Sequence, residues 1–188
     1  ANESYIKDDN FCGLPVVPFE KVESSYPSSE YQMFVAVGYS DLNKKRAGIF
    51  EQAKSKGYKL VSYVHPSVVV VGDFEFGENC FVFENSVIQP FVKIGDDVIV
   101  WSGSLISHNT TIKDHCFIAS HVAIAGSSTI EPYCFLGTNC TLRNGIKIAK
   151  ECVIGAGCVI LEDTKEKEVF VTRSTAIPNF NRDLLKDI

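Results

Sequence analysis

A chain of 188 residues, 45% hydrophobic and 22% charged, is sized for one good core, or for one domain with a small companion. A net charge of −5 and a pI near 5.4, with no basic stripe to offset them, exclude a nucleic-acid surface. The longest apolar run, "VSYVHPSVVVVG", is broken by His65, Pro66 and Ser67; it cannot span a bilayer, and no basic-then-apolar leader opens the chain, so the cytoplasm is the expected location.

Residues 1–62 read as a partial α/β unit. "MFVAVG", Met33 to Gly38, is a strand with a glycine stop. "SDLNKKRAGIFEQAKSKG" follows as a helix, with Ser40 placed to cap it and Gly57 to close it. "YKLVSYV" is a second strand. Strand, helix, strand is half of a nucleotide-binding α/β unit. No Gly-rich phosphate loop precedes Met33, so the first βα unit is expected to be missing. Lys44, Lys45 and Arg46 are candidates for phosphate contact, although solvated helix charges are the commoner arrangement.

From Val64 the pattern changes to a period of six. Val64, Val70, Phe76, Val82, Ile88, Ile94, Val100, Ile106 and Ile112 begin a series that continues through Ile118, Ile124, Ile130, Leu136, Leu142, Ile148, Ile154 and Ile160. Seventeen consecutive positions are aliphatic or Phe without one insertion, a period that fits neither a helix nor an ordinary meander. The residue four further on is nearly always compact. Two inward positions per six, one branched and one small, describe short flat strands and tight turns around a narrow interior. Six of the seven cysteines, Cys80, Cys116, Cys134, Cys140, Cys152 and Cys158, fall on the compact inward position. There a cysteine packs as a small hydrophobe, so neither a metal site nor a disulfide framework is expected.

This period resembles the hexapeptide repeat of left-handed parallel β-helices, over residues 63–165. The resemblance implies a mainly β fold in which three hexapeptides make one triangular coil and residues eighteen apart stack, with coils about 4.8 Å apart. Residues 166–188 are then a closing strand, "VFVTRSTA", and a short terminal helix, "NRDLLKDI".

"ISHNTTIKDHCFIASHVAIAG", Ile106 to Gly126, holds three of the four histidines. In a triangular coil His108, His115 and His121 fall on outward turns at three different edges, so one subunit cannot bring them to one metal. His108 stacks beside Gly126, a bare backbone suited to a histidine base and a donor for a developing oxyanion. His65 marks the start of the first coil.

The same stretch, followed by "STIEPYCFLGTN", is similar to the acyltransferases grouped with sialic acid O-acetyltransferase and the nucleotide-amino-sugar N-acetyltransferases. The resemblance implies an acetyl-CoA-dependent N-acetyltransferase of surface polysaccharide, lipopolysaccharide or glycan biosynthesis, acting without a metal as a homotrimer with sites between subunits. His108 matches the family's general base, and Asn109 stands where the family has an acid. Phe117, Gly126, Thr138, Gly155 and Ala156 are the positions expected along the CoA arm. Asp114, His115 and His121 are expected at substrate or at the subunit interface. Two alternatives share the fold: a sugar O-acetyltransferase and a catalytically inactive β-helix scaffold.

Overall fold

The computed structural model describes residues 2–173, and within them the period of six becomes a parallel β-helix of about six triangular turns. Each turn contributes one two- or three-residue strand to each of three faces. The first face has seven strands, from Tyr63–Val64 to Val169–Phe170; the second six, from Val69–Val70 to Val159–Ile160; the third five, from Phe74–Phe76 to Lys147–Ile148. Successive coils pair in parallel at the expected offset of eighteen: Ile106 with Ile124, Ile112 with Ile130, Ile118 with Leu136. The aliphatic positions from Val82 to Ile160 are buried in one continuous column with the six cysteines. Every large side chain taken from water there contributes roughly 1.5–3 kcal/mol. Val70 and Phe76, in the first coil, are exposed because no coil precedes them.

The corners show a second regularity. From Phe76 to Ile154, the residue three after each aliphatic position has a left-handed backbone: Asn79, Asn85, Asp97, Asn109, His115, His121, Ser127 and Asn139 among them have φ between 54° and 60°. Asn is enriched there because its short amide bonds locally in that conformation. The cysteine sulfurs donate inward, Cys116 Sγ to the Glu131 carbonyl at 3.2 Å and Cys134 Sγ to that of Ala149 at 3.1 Å. Burial raises the Cys80 thiol to about 11 and the Cys140 thiol to about 12.

The N-terminal residues pack on the first face and on the edge it shares with the third. They comprise a hairpin of β1 (Asn10–Phe11) and β2 (Leu14–Pro15), a one-turn helix α1 (Val22–Ser25) and helix α2 (Lys44–Ser55). Of the expected strand–helix–strand order, the helix forms as α2 and the strands meet in one parallel bridge, Met33 with Leu60. Ser40 does not cap the helix. Asp41, Leu42 and Asn43 turn left-handed first, and Asn43 stands at the N-cap with its side chain bonded elsewhere. Gly57, with φ +83°, closes the helix as expected.

"VFVTRSTA" supplies a last strand on the first face, Val169–Phe170, paired with Val153–Ile154 sixteen residues back. The expected terminal helix in "NRDLLKDI" lies outside the described residues.

Candidate functional site

The three histidines lie on three different edges, as the period requires, but in three different environments. His108 sits on the edge between the second and third faces, exposed, after the strand Leu105–Ile106. Its backbone is held on both sides: the N–H donates to Gln89 Oε1 at 3.0 Å, and the carbonyl accepts from the Ser127 N–H at 2.8 Å. The imidazole lies across Gly126 of the next coil. A Cβ on Gly126 would stand 2.6 Å from His108 Cε1 and 2.7 Å from Nε2, so only glycine leaves room for the ring. The Gly126 N–H meets no acceptor among the described residues, and neither ring nitrogen of His108 has a hydrogen-bonding partner there. Asn109 is exposed, left-handed at φ 59°, and donates its N–H to the Pro90 carbonyl at 3.0 Å. A free base beside a free donor is what an acyl-transfer site requires.

His115 is buried, contrary to its expected outward place, because α2 covers the edge between the third and first faces. Its Nδ1 is 2.9 Å from Asp97 Oδ2, one coil earlier. Asp97 Oδ1 accepts from Arg46 Nε at 3.0 Å and Asn79 Nδ2 at 2.8 Å. Arg46, fully buried, also donates to the carbonyls of Asp97 and Cys116 and to Asn43 Oδ1. Burial lowers the Arg46 pKa against the raising effect of Asp97. Arg46 and His115 therefore clamp α2 to the β-helix. Lys44 is likewise engaged, 3.2 Å from Glu151; Lys45 alone of the three stays exposed and unpaired among the described residues.

Asp114 is exposed on the same edge as His115, and its Oδ1 accepts the Asp96 N–H at 2.9 Å across coils. His121 is exposed on the edge between the first and second faces, its ring across Gly103.

The positions expected along a CoA arm are not contiguous within one chain. Phe117 is buried on the first face under Tyr39, with ring centroids 4.9 Å apart. Gly126 is on the edge of His108, whereas Thr138, Gly155 and Ala156 cluster at the edge of His121 or beside it. The flat coil separates them, because each hexapeptide turns the chain to a new face.

Sequence reasoning missed the Arg46–Asp97–His115 clamp, since Arg46 and Asp97 are fifty-one residues apart and no local pattern joins them. Among the described residues no group of three or more His, Cys, Asp or Glu side chains could hold a metal. No helix there is long and apolar enough to cross a membrane. A surface cavity of about 690 Å³ between Lys54, Lys59, Phe76 and Glu78 is lined by none of the histidines.

Residues 75–108 and 127–162 match the family model for the bacterial transferase hexapeptide (six repeats). Three solved structures share the architecture at length. PerB from Caulobacter crescentus, solved with CoA and GDP-perosamine, is 27% identical with a TM-score of 0.80, over 87% of this chain and 78% of that one. A histidine-to-asparagine mutant of perosamine N-acetyltransferase from the same organism, with the same two ligands, is 26% identical with a TM-score of 0.78, over 84% and 74%. The acetyltransferase domain of PglB from Neisseria gonorrhoeae, with acetyl coenzyme A, is 25% identical with a TM-score of 0.78, over 85% and 77%. No curated protein sequence matches significantly.

Proposed function

We propose that this protein is an acetyl-CoA-dependent N-acetyltransferase acting on a nucleotide-linked amino sugar, in the cytoplasmic synthesis of a surface polysaccharide or glycan. The observation that carries the reading is the imidazole of His108 lying across Gly126, whose N–H has no partner among the described residues. Support comes from the three similar structures, which were solved with CoA, acetyl coenzyme A or GDP-perosamine.

In this mechanism His108 takes the proton as the amine attacks the thioester carbonyl, and the Gly126 N–H receives the developing oxyanion. The C–N bond forms, the C–S bond breaks, and CoA leaves as the thiol. Asn109, in place of an acid, leaves the imidazole without a charged neighbour. An amine acceptor, more nucleophilic than a hydroxyl, suits such a base. The coils wind left-handed in this reading, as in the hexapeptide family.

The active assembly is a homotrimer, and the faces sort accordingly. The first is covered by the N-terminal residues, and the third carries solvated ion pairs such as Lys113–Glu131 and Lys93–Glu75. The second exposes Val69, Val71, Leu105, Val159 and Leu161, the uncovered apolar surface that a second copy would bury. It lies between the edge of His108 and Gly126 and that of Thr138 and Ala156. Association there joins in two subunits what one subunit separates, with Thr138, Gly155 and Ala156 of one copy beside His108 of the next.

The test is a panel of nucleotide-linked amino sugars and their hydroxyl counterparts, with acetyl-CoA and a free-thiol readout. Turnover confined to the amino sugars, and lost in His108→Ala while the assembly persists, is expected. Equal turnover of hydroxyl sugars would make the enzyme an O-acetyltransferase, and no turnover of either would leave a scaffold.

A further inference from the structure

The four histidines divide into two kinds. His65 Nδ1 is 2.9 Å from Ser67 Oγ, and His115 Nδ1 is 2.9 Å from Asp97 Oδ2, so each is held within the chain. His108 and His121 are exposed, and no ring nitrogen of either has a hydrogen-bonding partner among the described residues. Each of these two rings lies instead over a glycine of an adjacent coil. A Cβ on Gly103 would stand 2.5 Å from His121 Cε1, as one on Gly126 would stand 2.6 Å from His108 Cε1. Gly103 has φ +71°, but the same corner takes Asn79, Asn85 and Asn139 in other coils, so the backbone alone does not require a glycine there. The space it leaves is filled by the imidazole.

The two histidine–glycine pairs stand at opposite ends of the same two strands. Leu105–Ile106 and Ala123–Ile124 pair in parallel on the second face. Gly103 and His121 precede these strands, and His108 and Gly126 follow them. His108 leans forward by one coil and His121 leans back by one, so both imidazoles lie between the same two coils. Within one copy the width of the face separates them by roughly 15 Å, too far to act on one group. A closed ring of three, its axis along the β-helices, sets one end of that face beside the other end in the next copy, at unchanged height. Resting on the nucleotide-sugar reading above and its homotrimer, we propose that His121 of the neighbouring copy is a second catalytic residue, the proton donor to the departing thiol of CoA. His121 shares its edge with Thr138 and Ala156, so the CoA arm and its proton donor come from one copy, and the base and oxyanion donor from the next. The amine proton passes to His108 as the C–N bond forms. His121 gives its own proton to sulfur as the C–S bond breaks, and water returns both imidazoles to their starting forms. An imidazole changes charge between about pH 5 and 8, so it can carry that proton near neutrality.

The test uses the full-length protein, acetyl-CoA and the best acceptor of the amino-sugar panel. His121→Ala should lower kcat by about 100-fold, with KM for acetyl-CoA and sedimentation of the assembly little changed. His108→Ala and His121→Ala chains carrying different tags are then co-expressed, and trimers holding both are isolated over both tags. Every such mixed ring, whichever chain is in the majority, contains one interface that brings an intact His108 to an intact His121. Turnover of about one third of wild type is expected for the mixed trimers, far above that of either parent. Wild-type kcat in His121→Ala, a loss confined to KM, or mixed trimers as inactive as their parents would each overturn the proposal. All three leave the nucleotide-sugar reading standing, because that reading rests on turnover by the wild-type protein. Absence of wild-type turnover with every amino sugar removes both.

Discussion

Replacing Arg46 by Met tests the buried clamp most severely. Arg46 and Asp97 are both fully excluded from water, and the guanidinium satisfies the Asp97 carboxylate at 3.0 Å together with the carbonyls of Asp97 and Cys116 at 2.9 and 3.2 Å. Methionine fills much of the same volume but leaves the carboxylate without its charge partner. Removing one member of a buried pair costs about 3–5 kcal/mol, a large part of the about 5–15 kcal/mol that holds a domain together. The loss should be local first, because α2 and residues 33–60 touch the β-helix through this edge and the first face, while the coils keep their own ladder. Hydrogen exchange is therefore expected to rise across Lys44–Ser55 and to change little in the coils from Ile106 to Ile148. Guanidinium unfolding followed by circular dichroism gives the global value. Pairing Arg46→Met with Asp97→Leu removes both charges and should recover much of the loss. Stability of Arg46→Met within about 1 kcal/mol of the parent, with α2 exchange unaltered, would refute the reasoning.

His108→Ala should lower turnover by about 10²–10⁴-fold with the assembly intact, as read by thiol release and sedimentation. Gly126→Ala places a methyl group 2.6 Å from the His108 ring, so it should displace the imidazole and reduce turnover without unfolding the coil; unchanged kinetics would separate the glycine from the base. Cys116→Ser buries a hydroxyl in place of a thiol and should lower the unfolding midpoint with no effect on rate; a rate loss in folded protein would implicate the thiol. Above about pH 8.5, where the thiols of the unfolded chain ionise, stability should fall as pH rises toward the folded values of about 11 for Cys80 and about 12 for Cys140. The raised pKa values mean that this contribution is complete below the unfolded pKa and lost above the folded ones. Unfolding midpoints between about pH 8 and pH 10 should show the decline, and Cys80→Ala with Cys140→Ala should flatten it.

The coil was legible because its information is local and repeated. A side chain six residues from its like and eighteen from the next on its face has an address as soon as the period is seen. Cys116, Cys134 and His108 stand where that address places them. His115 has an equally clear address and a different fate, because the period says which edge a residue occupies and nothing about what lies against that edge. The helix start moved from Ser40 to Lys44 for a related reason: Asn43 is held by Arg46 and the Cys134 carbonyl, contacts made across the fold.

The sequence by itself therefore determined the β-helix, the inward cysteines and the pairing of His108 with Gly126, since each follows from hydrogen-bonded strands repeating at a fixed interval. Tertiary structure alone decided that Arg46 would be a buried clamp and not a phosphate ligand, and that His115 would be buried beside Asp97. In each case the deciding contact joins residues far apart in the chain, where desolvation and packing against a second element, rather than local pattern, set the energy.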